Sequence, residues 1–121
     1  MEKFALEIQE LTTPKVVIFR ASGYLDQCSG PEFKDIVLKK VPARGTALLF
    51  NLQKTPVINS SGLASLMDTL EEISFERHGE VHFCCLSRTF SDVFRMVGLS
   101  ALFPLHTNEE EALKFIAETA S

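Results

Sequence analysis

Residues 46–52, TALLFNL, are apolar almost without interruption. A strand with one face in water alternates apolar and polar side chains, whereas a strand covered on both faces reads as a near-continuous apolar run. The stretch therefore predicts an interior strand of a sheet with cover on both faces. The rest of the chain has to provide the neighbouring strands and that cover.

The flanking segments do so. Phe4 to Leu11 alternates, with Phe4, Leu6 and Ile8 on one face and Lys3, Glu7 and Gln9 around them, which predicts a strand. Thr12-Thr13-Pro14-Lys15 reads as a turn, and Val16 to Ala21 is β-branched and aromatic, so the two runs predict a hairpin. A helix is expected from about Ser29, with Pro31 in its first turn and Phe33, Ile36, Val37 and Val41 as its apolar stripe, ended by Pro42 and Gly45. Gln53 to Pro56 reads as a loop. From Ser60 the period becomes helical: Leu63, Leu66, Met67, Leu70 and Ile73 recur on one face, Asp68, Glu71, Glu72 and Glu76 face out, and Gly79 suits the C′ position. Val81 to Leu86 predicts another buried strand. Ser91 or Asp92 then caps a helix bearing Val93, Phe94, Met96 and Val97, closed by Gly98. Leu102 to His106 reads as a short extended piece kept at an edge by Pro104. Thr107 and Glu110 form a capping box for a last helix with Ala112, Leu113 and Ile116 buried and Glu109–Glu111 as its solvated, acidic first turn. A hairpin followed by alternating helices and strands is an α/β domain: one domain over residues 1–121, with a mixed sheet of four to five strands and about four helices.

Composition narrows the function. A chain of 121 residues, 45% hydrophobic and 23% charged, is long enough for one real core. Its net charge of −4 argues against a sequence-independent grip on nucleic acid. No apolar run reaches the length of a membrane span, and the acidic start MEKFALEIQE has no signal-like core, so a cytoplasmic location is expected. Cys28, Cys84 and Cys85 form neither a CxxC pair nor a zinc pattern; adjacent Cys84 and Cys85 are expected on opposite strand faces, as reduced, partly buried thiols. His82 and Cys84 share a face, yet two ligands do not make a zinc site. His78 and His106 read as structural or surface residues. Phe90, Phe94 and Phe103 accompany apolar helical positions without interleaved basic groups, which makes them core and not a stacking platform. No metal, cofactor or catalytic set is expected.

The stretch VINSSGLASL, from Val57, hands an extended segment over to a helix. Asn59 or Ser60 can be a plain N-cap, worth roughly 1 kcal/mol, with Gly62 permitting close packing. A P-loop needs Lys where Leu63 stands, and a nucleophile elbow needs Gly where Ile58 stands. Asn59-Ser60-Ser61 is a glycosylation sequon that has no use without secretion. A phosphorylation site is the other reading, since a phosphoserine at a helix N-terminus is tolerated by the dipole and the free N–H groups.

Four stretches together resemble the STAS domain, and within it the bacterial anti-sigma-factor antagonists. VVIFRASGYLD is similar to the family's second strand and its Gly-x-Leu-Asp turn, here Gly23, Leu25 and Asp26. ALLFNLQKTPVINSSGLASL is similar to the central strand and the start of the phosphorylation helix. VHFCCLS and FSDVFRMVGLSALFPLHTNEEEAL match the remaining strand and the closing elements. The resemblance implies a non-enzymatic protein that binds an anti-sigma factor, a serine kinase of the GHKL ATPase type, and is released on phosphorylation. A PP2C-type phosphatase would restore it. No direct nucleic-acid or membrane contact is implied, and the domain would work as a monomer or weak dimer. Carried over by position, the phosphorylated residue is Ser60, with Ser61 as fallback. The partner surface would comprise Asp26, Asn59, Ser60, Ser61, Gly62 and Leu63. Asn59 departs from the family's usual Asp: it keeps a capping oxygen, lacks the carboxylate, and removes repulsion against a neighbouring phosphate. That departure favours the alternative of an unphosphorylated STAS scaffold or ligand-sensing module.

Overall fold

The computed structural model describes residues 3–41, 45–55 and 58–119. The apolar run lies in the middle of a five-stranded sheet. β1 (Ala5–Thr12) and β2 (Lys15–Ser22) form the expected antiparallel hairpin; β3 (Ala47–Lys54) and β4 (Glu80–Cys84) add in parallel, and β5 (Leu105–His106) closes the far edge in the order β1-β2-β3-β4-β5. The helices are α1 (Ser29–Lys40), α2 (Ser60–Glu71), α3 (Arg88–Met96), the four-residue α4 (Leu99–Leu102) and α5 (Glu109–Thr119).

The cover on both faces is present. On one, Val17, Phe19, Leu48, Phe50, Val81 and Phe83 pack against Phe33 and Val37 of α1, Leu66 and Leu70 of α2, and Phe90 and Phe94 of α3. On the other, Val16, Ile18, Ala47 and Leu49 meet Ala112 and Ile116 of α5. Each of the Val, Leu, Ile and Phe side chains among them contributes about 1.5–3 kcal/mol when fully buried. Phe19, Phe50 and Phe83 stack across three adjacent strands, with ring centroids 5.3 and 5.4 Å apart. Because α5 rests chiefly on β3, β4 and β5, the hairpin's outer face stays open, and Glu7, Gln9 and Arg20 stand on it.

Several local expectations need correcting. β3 runs on through Gln53 and Lys54, which are not in the loop; Pro56 and Val57 lie outside the described residues, as does Pro42. Met67 is exposed, while Thr69 takes a buried place on α2 by donating its hydroxyl to Ser65 O at 2.7 Å. α2 passes into a π-helical turn, Glu72–Glu76, closed by Arg77 N–H on Glu72 O at 3.2 Å; the left-handed residue after it is His78 (φ 52°) and not Gly79. Arg77 then reaches back to the end of α1, donating to Leu38 O at 2.7 Å, one of the carbonyls a helix leaves unpaired at its C-terminus. β4 stops at Cys84, because Cys85 turns left-handed (φ 64°), so the adjacent thiols are not on opposite faces.

α3 is capped by Ser87, whose Oγ accepts from Phe90 N–H at 3.1 Å, in place of Ser91 or Asp92. The earlier start aims Phe90 and Phe94 inward and leaves Met96 and Val97 exposed. Leu102 belongs to α4, so the extended edge piece begins later, although it is an edge as expected; with the short α4 the described residues hold five helices, in keeping with the expected about four. Asn108, not Thr107, caps α5, its Oδ1 accepting from Glu111 N–H at 2.8 Å.

Candidate functional site

Asn59 begins α2. Its backbone is extended (φ −99°, ψ 178°), its side-chain Oδ1 accepts from Gly62 N–H at 2.9 Å, and its carbonyl accepts from Leu63 N–H at 2.8 Å. One of the four donors that a helix start leaves orphaned is thereby satisfied. The other end of the amide also works: Nδ2 donates to Gln27 Oε1 at 2.9 Å.

Two backbone contacts fasten this start to the turn that follows β2. Asn59 N–H donates to Leu25 O at 3.1 Å, and Leu25 forms an isolated parallel bridge with Ile58. Gly62 then lies directly on the turn. A Cβ there would fall 2.2 Å from Leu25 O and 2.5 Å from its carbonyl carbon, so only glycine permits the approach. The Gly-x-Leu-Asp turn and the Asn-Ser-Ser-Gly-Leu start, 33 residues apart or more in the chain, thus form one rigid corner.

Within that corner the six singled-out residues divide. Asn59, Ser60 and Ser61 are exposed, Gly62 is buried, and Leu63 is half-buried against the core. Asp26 is occupied locally. Its Oδ1 accepts from Cys28 N–H at 2.9 Å and Ser29 N–H at 3.0 Å, which caps α1. The backbone N–H groups of Ser29 and Cys28, donating to the carboxylate, lower its pKa and keep it ionised. Ser29 Oγ donates to Tyr24 O at 2.6 Å and accepts Asp26 N–H at 2.9 Å, fixing the turn further. The exposed face of α2 continues from Ser60 and Ser61 through Ala64, Met67, Asp68 and Glu71 to Phe75, which is 70% exposed.

The family model for the STAS domain matches residues 7–112, and so takes in all of the sheet but the first two residues of β1, together with this corner. The chain belongs to the STAS domain family. Among solved structures, the domain is similar to an anti-sigma factor antagonist from Mycobacterium paratuberculosis (21% identity, 94% of each chain, TM-score 0.72). It is likewise similar to an anti-sigma-factor antagonist (STAS) domain protein from Planctomyces limnophilus (16% identity, 93% of this chain and 97% of that one, TM-score 0.78). A third is the Bacillus cell fate determinant SpoIIAA in its phosphorylated form (20% identity, 93% and 99%, TM-score 0.68). These identities speak for a shared fold. Among curated proteins none matches the sequence.

The STAS domain also holds three clusters that sequence reading missed. First, Glu109 is not merely part of a solvated acidic turn: Arg20 donates to both its oxygens (Nε at 2.7 Å, Nη2 at 2.9 Å), and Asn51 Nδ2 donates to Oε2 at 2.6 Å. Arg20 Nη1 also meets Glu7 Oε2 at 2.7 Å. The Arg20 bond lowers the pKa of Glu109, and that of Arg20 rises in return. The cluster walls a trough of about 500 Å³ on the open hairpin face, which Lys54 and Gln53 also line.

Second, His82 is fully buried and meets His106 edge to edge, Nδ1 to Nε2, at 3.0 Å, with Phe115 of α5 against both rings. Among the described residues, His82 Nε2 has no hydrogen-bond partner, and Glu80 Oε1 lies 3.5 Å from it. A carboxylate favours a donor, so the consistent tautomer has His106 Nε2–H donating and His82 Nε2–H aimed at Glu80. Burial lowers both imidazole pKa values. Third, the sulfurs of Cys84 and Cys85 touch. No cluster of three or more His, Cys, Asp or Glu side chains suited to a metal occurs among the described residues, and no helix among them is long and apolar enough to cross a membrane.

Proposed function

We propose that this STAS domain is an anti-sigma-factor antagonist that acts by binding, not catalysis. The unphosphorylated start of α2 docks on an anti-sigma factor, a serine kinase of the GHKL type. Phosphorylation of Ser60 releases it, and a PP2C-type phosphatase reverses the release. The supporting observation is the exposed Ser60 as first residue of a helix whose start is pinned by Asn59, Leu25 and Gly62. The pinned backbone gives a partner a fixed surface. A phosphate there adds roughly −1.5 to −2 charges beside free N–H groups and the positive end of the helix dipole, so the fold survives while docking meets new charge. A loss of about 3 kcal/mol on phosphorylation weakens binding roughly a hundredfold.

Asn59 is compatible with this role, because capping needs only an acceptor oxygen, and its Oδ1 supplies one. The test is binding of purified wild type, Ser60→Ala and Ser60→Asp to the anti-sigma factor, with site mapping of the phosphorylated protein. Ser60→Ala should bind as wild type and Ser60→Asp at least tenfold more weakly; equal binding refutes the switch. Phosphate mapped to Ser61 moves the acceptor by one residue.

The trough between β1–β3 and α5 favours a second reading, an unphosphorylated ligand-sensing module. Heat of binding with nucleotides that disappears in Lys54→Ala, together with a chain unmodified in its own cells, would select it.

A further inference from the structure

Adjacent residues of a strand point to opposite faces, so neighbouring cysteines ordinarily cannot meet. Here they do. Pairing along β4 ends at Cys84, and Cys85 adopts φ 64°, a region that is costly for a residue with a Cβ. That turn folds the second side chain back on the first, and the two Sγ atoms lie 3.3 Å apart. Cys84 is fully buried and Cys85 half-buried, while Cys28 stands exposed at the start of α1. A reagent entering from solvent therefore reaches Cys85 first and finds a second sulfur already beside it. Burial pushes the Cys84 thiol up, which keeps it protonated and unreactive toward outside reagents.

We propose that Cys84 and Cys85 form a reversible dithiol–disulfide modification site, oxidised by hydroperoxides. The Cys85 thiolate attacks the terminal oxygen of the hydroperoxide; the O–O bond breaks, the leaving oxygen takes a proton and departs as an alcohol or water, and Cys85 becomes a sulfenic acid. Cys84 sulfur then displaces that hydroxyl, its proton leaving with it as water, and the S–S bond forms. Two thiols have lost two electrons and two protons, and one hydroperoxide has been reduced. The sulfurs must close from 3.3 Å to about 2.0 Å. The required backbone twist falls where the sheet ends, and the outermost bond there, Cys85 N–H to His106 O, is already long at 3.3 Å.

Position gives the modification a consequence. β2, β3 and β4 are parallel, so Cys84–Cys85 lies on the same edge of the sheet as the Asp26 turn and the β3–α2 connection, two residues before the Ser87 cap of α3. The site does not depend on Ser60 and stands or falls separately from the proposed antagonist role.

The test uses the full chain carrying Cys28→Ser, which removes the exposed thiol. It is treated with hydrogen peroxide, denatured, alkylated with N-ethylmaleimide and mapped by tandem mass spectrometry. The expected product has lost two hydrogens, adds no maleimide at Cys84 or Cys85, and regains both additions after dithiothreitol. The reduced chain should also take up one phenylarsine oxide, a reagent that bridges paired thiols, with loss of both alkylatable groups. Cys84→Ala in the same background should accumulate a sulfenic acid at Cys85 that dimedone traps; should that variant not fold, the first arm decides alone. Two thiols still alkylatable after peroxide, irreversible sulfinic or sulfonic acid at Cys85 beside a free Cys84, or a disulfide between chains would each overturn the proposal.

Discussion

Replacing Gly62 with alanine sets two effects against each other, and the structure says which is larger. Alanine is the better helix former by about 1 kcal/mol, and at an ordinary helical position the change would stabilise. Here the new Cβ meets backbone on the opposite side: 2.2 Å to Leu25 O, 2.5 Å to its carbonyl carbon and 2.9 Å to Asp26 N. None of these atoms can swing away as a side-chain tip can. The corner must open by roughly 0.8 Å to reach even the shortest distances that real side chains show. Overpacking of this kind costs ~1–3 kcal/mol, and stretching the Asn59 N–H bond to Leu25 O from 3.1 Å forfeits ~1 kcal/mol more. After the propensity gain, the variant should be less stable by about 1–3 kcal/mol, a fall in Tm of roughly 3–15 °C for a domain of this size. The chain has no tryptophan, so urea unfolding is best followed by far-ultraviolet circular dichroism. Ser61→Ala, one position away and exposed, is the control and should stay within about 0.5 kcal/mol of wild type. If Gly62→Ala matches that control or exceeds wild type, the contact between α2 and the turn is not tight, and the rigid corner fails as an account of the site.

Asn59→Ala should cost about 1 kcal/mol in the same assay, whereas Asn59→Asp should restore the cap and match or exceed wild type. Glu109→Gln should lose about 1–3 kcal/mol at neutral pH, since Arg20 and Asn51 both bond the carboxylate and Glu109 is only 24% exposed. Because the folded pKa of Glu109 is depressed, that contribution is complete above the ordinary glutamate range near pH 4.3; the gap between wild type and variant should close as acidification passes through that range and below it. The histidine pair titrates with folded pKa values below the ordinary ~6.5, so the unfolded chain binds more protons and stability should fall as pH drops below about 6.5. His106→Phe should flatten part of that stretch of the stability–pH curve; an unchanged slope would show that His106 does not contribute to it.

The sequence made the architecture legible wherever one periodicity lasted. β3 announced itself because both its faces are covered, and α2 because Leu63, Leu66, Leu70 and Ile73 keep helical spacing for three turns. The start of α2 was equally readable: a cap residue, two serines and a glycine all sit where the helix begins. What stayed hidden depended on geometry that letters do not carry. Ser87, Ser91 and Asp92 are chemically equivalent caps, and only the need to bury Phe90 together with Phe94 selects the first. Glu109 looked like its neighbours Glu110 and Glu111, yet it alone faces Arg20, 89 positions earlier. Cys84 and Cys85 would have been separated by any regular strand, and the left-handed turn at Cys85 leaves no trace in composition. For the histidines a weak signal existed: His82 lies inside an otherwise apolar run, which a buried partner would explain.

The sheet's two rims are unequal. At one, β5 is two residues long and follows Pro104, so it has almost no backbone to offer a newcomer. At the other, β1 runs for eight residues with its outer N–H and C=O groups facing away from β2. Among the described strands, that rim is the one long enough for an incoming strand to extend the ladder. Any recruitment of a foreign chain by sheet addition, whether useful or the first step of aggregation, is thereby directed to β1, where the alternate charges Glu7 on one side and Glu10 on the other discourage an acidic newcomer and admit a basic one.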